Sequence, residues 1–313
     1  MLSIVSTTIN SPTTATLKFC KIAQDKKFKF IVVGDLKTPH QEYVDLSRKY
    51  TSFTYLTPDD QKSIYPELSN IIGWKTIQRR NIGFVYAYQN GAEIVATVDD
   101  DNIPYDSWGD NIFISKEIEA DYYSTSLDVF DPLSVTNNND LWHRGYPLEL
   151  VPIKNKVEYS GKKKITPLIQ ADLWDGDPDI DALCRLSKKP IVKFNTEDPY
   201  FSNKPSPFNS QNTFIHRSVM PYYCVFPFVG RMDDIWPSYI VQHYFPNSLV
   251  YNKASVYQDR NTQDLITNLE KEIIGYRKTY GLVKDITNYS QYLPDETKEF
   301  YSIYKKTILE ESK

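Results

Sequence analysis

Cysteine is scarce in this chain: three among 313 residues, at Cys20, Cys184 and Cys224. They are odd in number, far apart and without metal-ligand spacing, which excludes a disulfide framework and a cysteine-built zinc site. They read as small buried hydrophobes of a reduced compartment. Long apolar runs are missing too. No stretch approaches the length needed to span a bilayer, and the N-terminus lacks a basic segment followed by an apolar one. The expectation is a soluble, cytoplasmic protein with no transmembrane segment. Nor is there a basic excess. The formal net charge is −4 and the pI about 5.7, whereas a nucleic-acid binder carries surplus Lys and Arg. The one tight basic run, Lys162-Lys163-Lys164, follows Gly161 and reads as a solvated turn. No internal repeat is present.

Aromatics, by contrast, are plentiful: 24 Tyr, 15 Phe and 5 Trp. They supply a core for one large α/β domain with an extension. Leu2 to Thr8 is a β-branched run that predicts a first strand. Ser11-Pro12 then has the form of a helix start, Ser as N-cap and Pro in the first turn, with helix to about Gln24. Phe28 to Val33 predicts a second strand ending at Gly34-Asp35. His40 to Tyr50 follows as helix and Phe53 to Leu56 as a short strand. Lys75 to Gln89 reads as helix, with Ile77, Asn81, Phe84, Val85 and Tyr88 on one stripe and Gly91 as the C-cap. Ile94 to Val98 is again strand.

Strand–helix alternation of this kind predicts a mostly parallel sheet with helices on both faces. Ligands of such sheets bind outside the carboxyl ends of the strands. Three polar clusters fall there: Thr7, Thr8 and Asn10; Asp35; and Asp99 to Asp101. The middle, 102–230, is irregular. Asn137 to Asp140 reads as loop, Asp179 to Leu186 as a short helix and Phe214 to Arg217 as a strand. Ile235 to Tyr244 has a helical pattern and Leu249 to Tyr251 is β-like. From about Thr262 the chain turns polar and helical, with Leu265, Leu269, Ile273 and Tyr276 at helical spacing. The expected layout is a catalytic domain over 1–260 and a C-terminal helical extension over 261–313, the latter a surface for homo-oligomer assembly.

The stretch with most chemistry is Glu93-Ile-Val-Ala-Thr-Val-Asp-Asp-Asp101, an apolar strand ending in three carboxylates. Like charges this close need a positive partner, and a hard divalent cation carrying phosphate oxygens supplies one. Along a strand, Asp99 and Asp101 project to one side and Asp100 to the other. The expected metal ligands are therefore Asp99, Asp101 and Asp100, holding Mn2+ or Mg2+. A unit charge about 4 Å away in a partly wet site contributes roughly 4 kcal/mol, or about three decades in rate if felt only in the transition state. The plain alternative is a solvated turn before Pro104.

Asp233-Asp234 precedes a predicted helix. Either acid is a helix cap or a general base for an acceptor hydroxyl, and Arg231 beside them can neutralise phosphate. His143-Arg144-Gly145-Tyr146-Pro147 combines a close-approach glycine with an anion-gripping arginine, or is a structural turn. Asp172, Asp175, Asp177, Asp179 and Asp181 superficially resemble a calcium loop, but Pro178 interrupts them and no glutamate closes the pattern. Loop acids and a helix cap are the simpler reading. Trp174 is either a sugar-stacking or a core residue. His216 and His243 are isolated and read as structural.

Together these motifs resemble the plant reversibly glycosylated polypeptides (UDP-arabinopyranose mutases) and the related STELLO-type glycosyltransferase domains. The resemblance runs over roughly residues 1–260. It is carried by Arg79-Arg80-Asn81-Ile82-Gly83, Gln89-Asn90-Gly91-Ala92, the strand into Asp99-Asp100-Asp101, Arg144-Gly145-Tyr146-Pro147, Leu173-Trp174 and Pro178-Asp179-Ile180-Asp181-Ala182. Asn209-Ser210-Gln211-Asn212-Thr213 is similar to the STELLO side. Arg231-Met232-Asp233-Asp234-Ile235-Trp236 and Lys253-Ala254-Ser255 are similar to the polypeptide side. The resemblance implies a GT-A-type, Rossmann-like fold with a nucleotide-sugar crevice. It implies Asp99 to Asp101 as the metal and diphosphate motif, with Thr7, Thr8 and Asp35 near the nucleoside. Arg79, Arg80, Arg231 and Lys253 are the further candidate nucleotide contacts from its motifs. Arg144 matches the arginine that becomes glycosylated in the polypeptide family. Where that family has a histidine before Lys-Ala-Ser, this chain has Tyr251.

The expected activity is transfer of a glycosyl group from a nucleotide sugar, a UDP-sugar by resemblance, to a glycan or other hydroxyl acceptor, with Asp234 or Asp233 as base. The alternatives are a UDP-sugar mutase, with or without self-glycosylation, and a non-enzymatic nucleotide-sugar binding or scaffold protein. A metal-independent phosphohydrolase is weaker, because no nucleophile motif stands beside the acids.

Overall fold

The computed structural model describes residues 1–188, 190–260 and 263–310. Asn261 and Thr262, where the expected domain boundary falls, lie outside the described residues. The strands are β1 (Leu2–Thr8), β2 (Lys29–Gly34), β3 (Phe53–Leu56), β4 (Ile94–Val98), β5 (Asn102–Pro104), β6 (Ile118–Thr125), β7 (Val157–Ile165), β8 (Ile169–Gly176), β9 (Tyr200–Phe201), β10 (Asn212–His216) and β11 (Leu249–Gln258). The helices are α1 (Thr14–Lys26), α2 (His40–Lys49), α3 (Pro58–Ile64), α4 (Pro66–Ile72), α5 (Arg80–Gln89), α6 (Ala182–Lys188), α7 (Ile235–Tyr244), α8 (Leu265–Lys284) and α9 (Asp295–Leu309).

All these strands join one sheet in the order β3-β2-β1-β4-β10-β8-β11-β9-β6-β7, with β5 paired to β11. The expected α/β architecture, a large sheet flanked by helices with helical C-terminal segments, is what the chain forms. The first four strands are parallel, β1 lying between β2 and β4. Beyond β4 the sheet is mixed, because β10 runs antiparallel to both β4 and β8. β1 is buried along its whole length, as a strand covered on both faces must be. The carboxyl ends of β1, β2 and β4 therefore share one rim, which is where Thr7–Thr8, Asp35 and the acids lie.

Two helix starts differ from expectation. α1 is capped by Thr13, whose hydroxyl accepts the Thr16 amide at 3.1 Å, and not by Ser11, which bonds Glu42 instead. α5 begins at Arg80, after a short 3-10 turn over Ile77–Arg79. The cause is Asp35: its carboxylate takes the amides of Lys75 at 2.7 Å and Thr76 at 3.0 Å, so this segment ties off the end of β2 instead of entering the helix. Gly83 lets α5 sit against the sheet, since a Cβ there would lie 2.5 Å from Val5 and 2.9 Å from Val33.

Lys162 to Lys164 are not a turn but part of β7, which pairs with β6 at the sheet margin. Lysines on an edge strand discourage further strand pairing. The aspartate-rich stretch likewise divides. Asp172 and Asp175 lie on buried β8, while Asp181 caps α6 by accepting the Cys184 amide at 2.7 Å. Trp174 is a core residue packed on His143 and Phe194. The three cysteines are free and buried.

The last two helices pack back onto the rest. Phe300, Tyr304 and Ile308 of α9 belong to the same apolar core as β1 and α5. α8 and α9 also brace the loop between Phe226 and Asp233. Glu272 binds Arg231 at 2.7 Å, and Thr297 donates to the Pro227 carbonyl at 2.7 Å. Gly230, at φ +60°, passes so close to α8 that a Cβ would stand 2.0 Å from the Lys271 carbonyl oxygen. No helix among the described residues is long and apolar enough to cross a membrane.

Candidate active site

Two cavities adjoin at the strand-end rim. The smaller, about 360 Å³, is lined by Thr7, Thr8, Asn10, Asp35, Lys37 and Asp100. The larger, about 530 Å³, is lined by Arg80, Asp99, Asp101, Arg144, Arg231, Asp233, Asp234 and Arg260. Lys75, Thr76 and Ile77 line both. The acids are divided between them as strand alternation predicts, although Asp99 to Asp101 form a turn, closed by the Asn102 amide on the Asp99 carbonyl at 3.3 Å.

In the smaller cavity, Asp100 accepts from the Thr8 hydroxyl and from Asn10 Nδ2 at 2.9 Å. Thr7 donates to the Val33 carbonyl at 2.8 Å, joining β1 to β2. Asp35 is buried and takes three backbone amides, those of Leu36, Lys75 and Thr76. It shapes the wall shared with the larger cavity.

In the larger cavity a chain of alternating charges crosses the floor. Asp99 is ion-paired to Arg80. Arg80 also donates to the Ser210 carbonyl and hydroxyl, both at 2.8 Å. Ser210 in turn gives its amide to Asp234 at 2.8 Å and its hydroxyl at 3.0 Å. Asp234 accepts from Arg144 at 2.9 and 3.2 Å, and Arg144 grips Asp179 through Nε and Nη2 at 2.8 to 3.1 Å. Arg144 Nη1 also donates to the Arg231 carbonyl. Asn209 adds a bond to Asp179 at 2.8 Å.

Ionisation differs along this chain. Burial pushes Asp234 up, but the Arg144 guanidinium overrides it and holds the carboxyl below its usual range. Asp179, also buried, is held down strongly by Arg144. Asp233 is raised to about 7 by burial and then by Asp234. Its carboxylate faces the cavity and accepts from Gln78 Nε2 at 3.1 Å. Asp101 is likewise raised to about 7, by burial and then by Asp99. Burial raises Asp99 too, against Arg80.

The cavities thus bring together Thr7, Thr8, Asp35, Arg80, Asp99, Asp100, Asp101, Arg144, Arg231, Asp233 and Asp234. Arg79 and Lys253 stand apart. Arg79 is buried in the packing of α3 and α4, where it bonds Gln61 at 2.8 Å and the Ser69 carbonyl at 2.9 Å and stacks on Trp74. Lys253 is an exposed partner of Glu197 at 3.7 Å. Tyr251, just before Lys253-Ala254-Ser255, is a core residue that stacks on Tyr200 and donates to the Pro207 carbonyl at 2.8 Å.

The donor set also bears on the expected cation. Asp99 is engaged by Arg80 and Asp100 by Thr8 and Asn10, in a different cavity. Among the described residues, the Asp101 carboxylate accepts only from Gln258 Nε2, at 3.5 Å. Among the described residues, no group of three His, Cys, Asp or Glu side chains is placed to hold a metal ion. The trio does not form a cation site from protein groups alone; a cation shared with phosphate oxygens would need only one or two of these carboxylates.

Sequence reading passed over Lys75, Gln78, Ser210, Gln211, Phe228, Arg260 and Lys271 as site residues, yet all line the larger cavity. Ser210 and Gln211 sit in a motif that carried the family resemblance. The others are marked by nothing in the local sequence pattern.

No family model matches the chain. It is 24% identical over 238 residues to "Probable glycosyltransferase STELLO1" of Arabidopsis thaliana, covering 69% of this chain and 29% of that protein. It is 24% identical over 216 residues to "Probable glycosyltransferase STELLO2" of the same plant, covering 62% and 27%. The chain therefore spans under a third of the length of these relatives. In structure it is similar, at a TM-score of 0.44 and 10% identity, to the mannosyltransferase PcManGT from Pyrobaculum calidifontis in complex with GDP-Man and Mn2+, covering 98% of this chain and 70% of that one. The sequence similarity is to glycosyltransferase-like proteins.

Proposed function

We propose that this protein is a GT-A-type glycosyltransferase that moves a sugar from a nucleotide sugar, UDP-linked by family resemblance, to a hydroxyl acceptor. One observation carries the reading. Asp233, raised to about 7, faces a cavity that shares the Lys75–Ile77 wall with a second one at the strand-end rim. A base poised near neutrality beside a place for a diphosphate is what acceptor deprotonation needs.

In this reading the nucleoside occupies the smaller cavity, against Thr7, Thr8 and the wall set by Asp35. The diphosphate lies at the shared wall near Arg80, and the sugar projects into the larger cavity. Asp233 takes the proton of the acceptor hydroxyl as its oxygen attacks the anomeric carbon. The bond to the diphosphate breaks, its electron pair leaves with the diphosphate, and the configuration inverts. Asp234 is a positioning residue: it is charged, saturated with bonds and a poor base. Arg144 also positions, because its guanidinium is engaged by Asp179, Asp234 and the Arg231 carbonyl. Phe228, 57% exposed on the cavity's rim, offers an apolar face to the acceptor.

The test is to incubate the protein with a panel of UDP-sugars and glycoside acceptors and to resolve products by NMR. Net transfer with inverted anomeric configuration supports the reading. Ring-form exchange of the donor without transfer selects a mutase, and no turnover with retained binding selects a binding protein.

A further inference from the structure

Arg260 is brought beside the acid turn by strand pairing alone. β11 runs antiparallel to β5 with Gln258 opposite Asn102, and the Asp259 amide donates to the Asp101 carbonyl at 3.0 Å. Arg260 follows, lining the larger cavity. Its side chain is 5% exposed, yet Nε and Nη2 have no hydrogen-bond partner among the described residues. The nearest carboxylates stand off, Asp177 at 3.6 Å from Nε and Asp179 at 4.0 Å from Nη2. Both are already engaged, Asp177 by Arg185 and Asp179 by Arg144. A mere counter-ion of these acids would hydrogen-bond them. A buried guanidinium with unfilled donors is costly, and an anion entering the cavity removes that cost.

We propose that Arg260 receives the diphosphate of the nucleotide sugar and does there what the sequence assigns to a divalent cation. The inference rests on the donor reading above. A guanidinium presents its donors in a rigid fork that matches two phosphate oxygens at once. The Arg260 charge in turn favours the ionised forms of Asp99 and Asp101. Of the three acids Asp99 already pairs with a cation that belongs to the chain, Arg80, and Arg260 stands near Asp101.

The experiment is calorimetric binding of UDP, in EDTA and in Mn2+, to the wild-type protein and to Arg260→Gln and Arg260→Lys. Uridine binding, followed by NMR, reports whether the nucleoside cavity is intact. The expected result is UDP binding in EDTA with no requirement for manganese. Arg260→Gln weakens UDP about 10- to 100-fold, the size of one or two charge-assisted bonds, and Arg260→Lys falls between. Uridine binds wild type and variants alike. UDP binding that appears only with Mn2+, or that Arg260→Gln leaves unchanged, overturns the inference and leaves the donor reading standing. Absence of UDP binding in both conditions overturns both.

Discussion

Asp233 and Asp234 are adjacent in sequence and opposite in ionisation: Arg144 holds Asp234 below the usual carboxylate range, while burial and Asp234 itself raise Asp233 to about 7. Both side chains line the cavity, but Asp234 takes hydrogen bonds from Arg144 at 2.9 and 3.2 Å while Asp233 stands 3.8 Å from that guanidinium. Two carboxylates whose environments drive their pKa values apart divide the roles of structure and chemistry.

The division predicts the pH profile. A general base works deprotonated, so kcat/KM rises with pH through about 7 and levels above it. Asp233→Asn removes the rising limb and lowers the rate about 10²- to 10⁴-fold, with UDP binding retained. A variant that keeps wild-type turnover and the same limb contradicts the assignment.

Arg144 is predicted to act on stability. Removing it as Arg144→Gln leaves Asp179 and Asp234 buried without their counter-charge, at a cost of about 3–5 kcal/mol, read by urea denaturation. The pH sign follows from Asp179. Its folded pKa is depressed by Arg144, so its contribution is intact above the unfolded value of about 3.9 and fades only as pH falls through strong acid. Wild-type stability should therefore carry the full Asp179 contribution, with no pH dependence from it, between pH 5 and 8.

Phe228 is a bulky residue at φ +65°. That backbone region costs a non-glycine residue about 1–2 kcal/mol, and the exposed ring returns little by packing. Phe228→Gly is expected to stabilise the fold slightly while raising KM for a glycoside acceptor. An unchanged acceptor KM would remove Phe228 from the acceptor site.

Asp181 sets a second pH dependence, of opposite sign. Burial raises it to about 7, against hydrogen bonds from the Cys184 amide and Trp142. A raised folded value means that its contribution is complete below the unfolded value of about 3.9 and is lost as pH rises through about 7. Asp181→Asn keeps a competent helix cap and should flatten Tm between about pH 4 and 7, measured by thermal denaturation across that range.

Much of the rim was legible in advance. Apolar β-branched runs ending in polar clusters marked β1, β2 and β4, and the period of α5 marked its buried stripe. Beyond β4 local pattern failed. β8 carries Gln170, Asp172 and Asp175 inside a fully buried strand, and β10 inserts antiparallel between β4 and β8, a pairing that no local period encodes. Arg79 and Arg80 are neighbours, yet the 3-10 turn sends one onto Trp74 and the other to Asp99. Lys253 lies in the irregular stretch of β11 between Asn252 and Val256, where strand alternation no longer predicts direction. Arg260 sits in a polar stretch without periodicity, and only the β5–β11 pairing places it.

The most direct measurement is a crystal structure of the protein with UDP. The account predicts the nucleoside in the cavity lined by Thr7, Thr8 and Asp35, and the diphosphate at the shared wall between Arg80 and Arg260. UDP bound elsewhere, or both cavities free of nucleotide at saturating UDP, would contradict it.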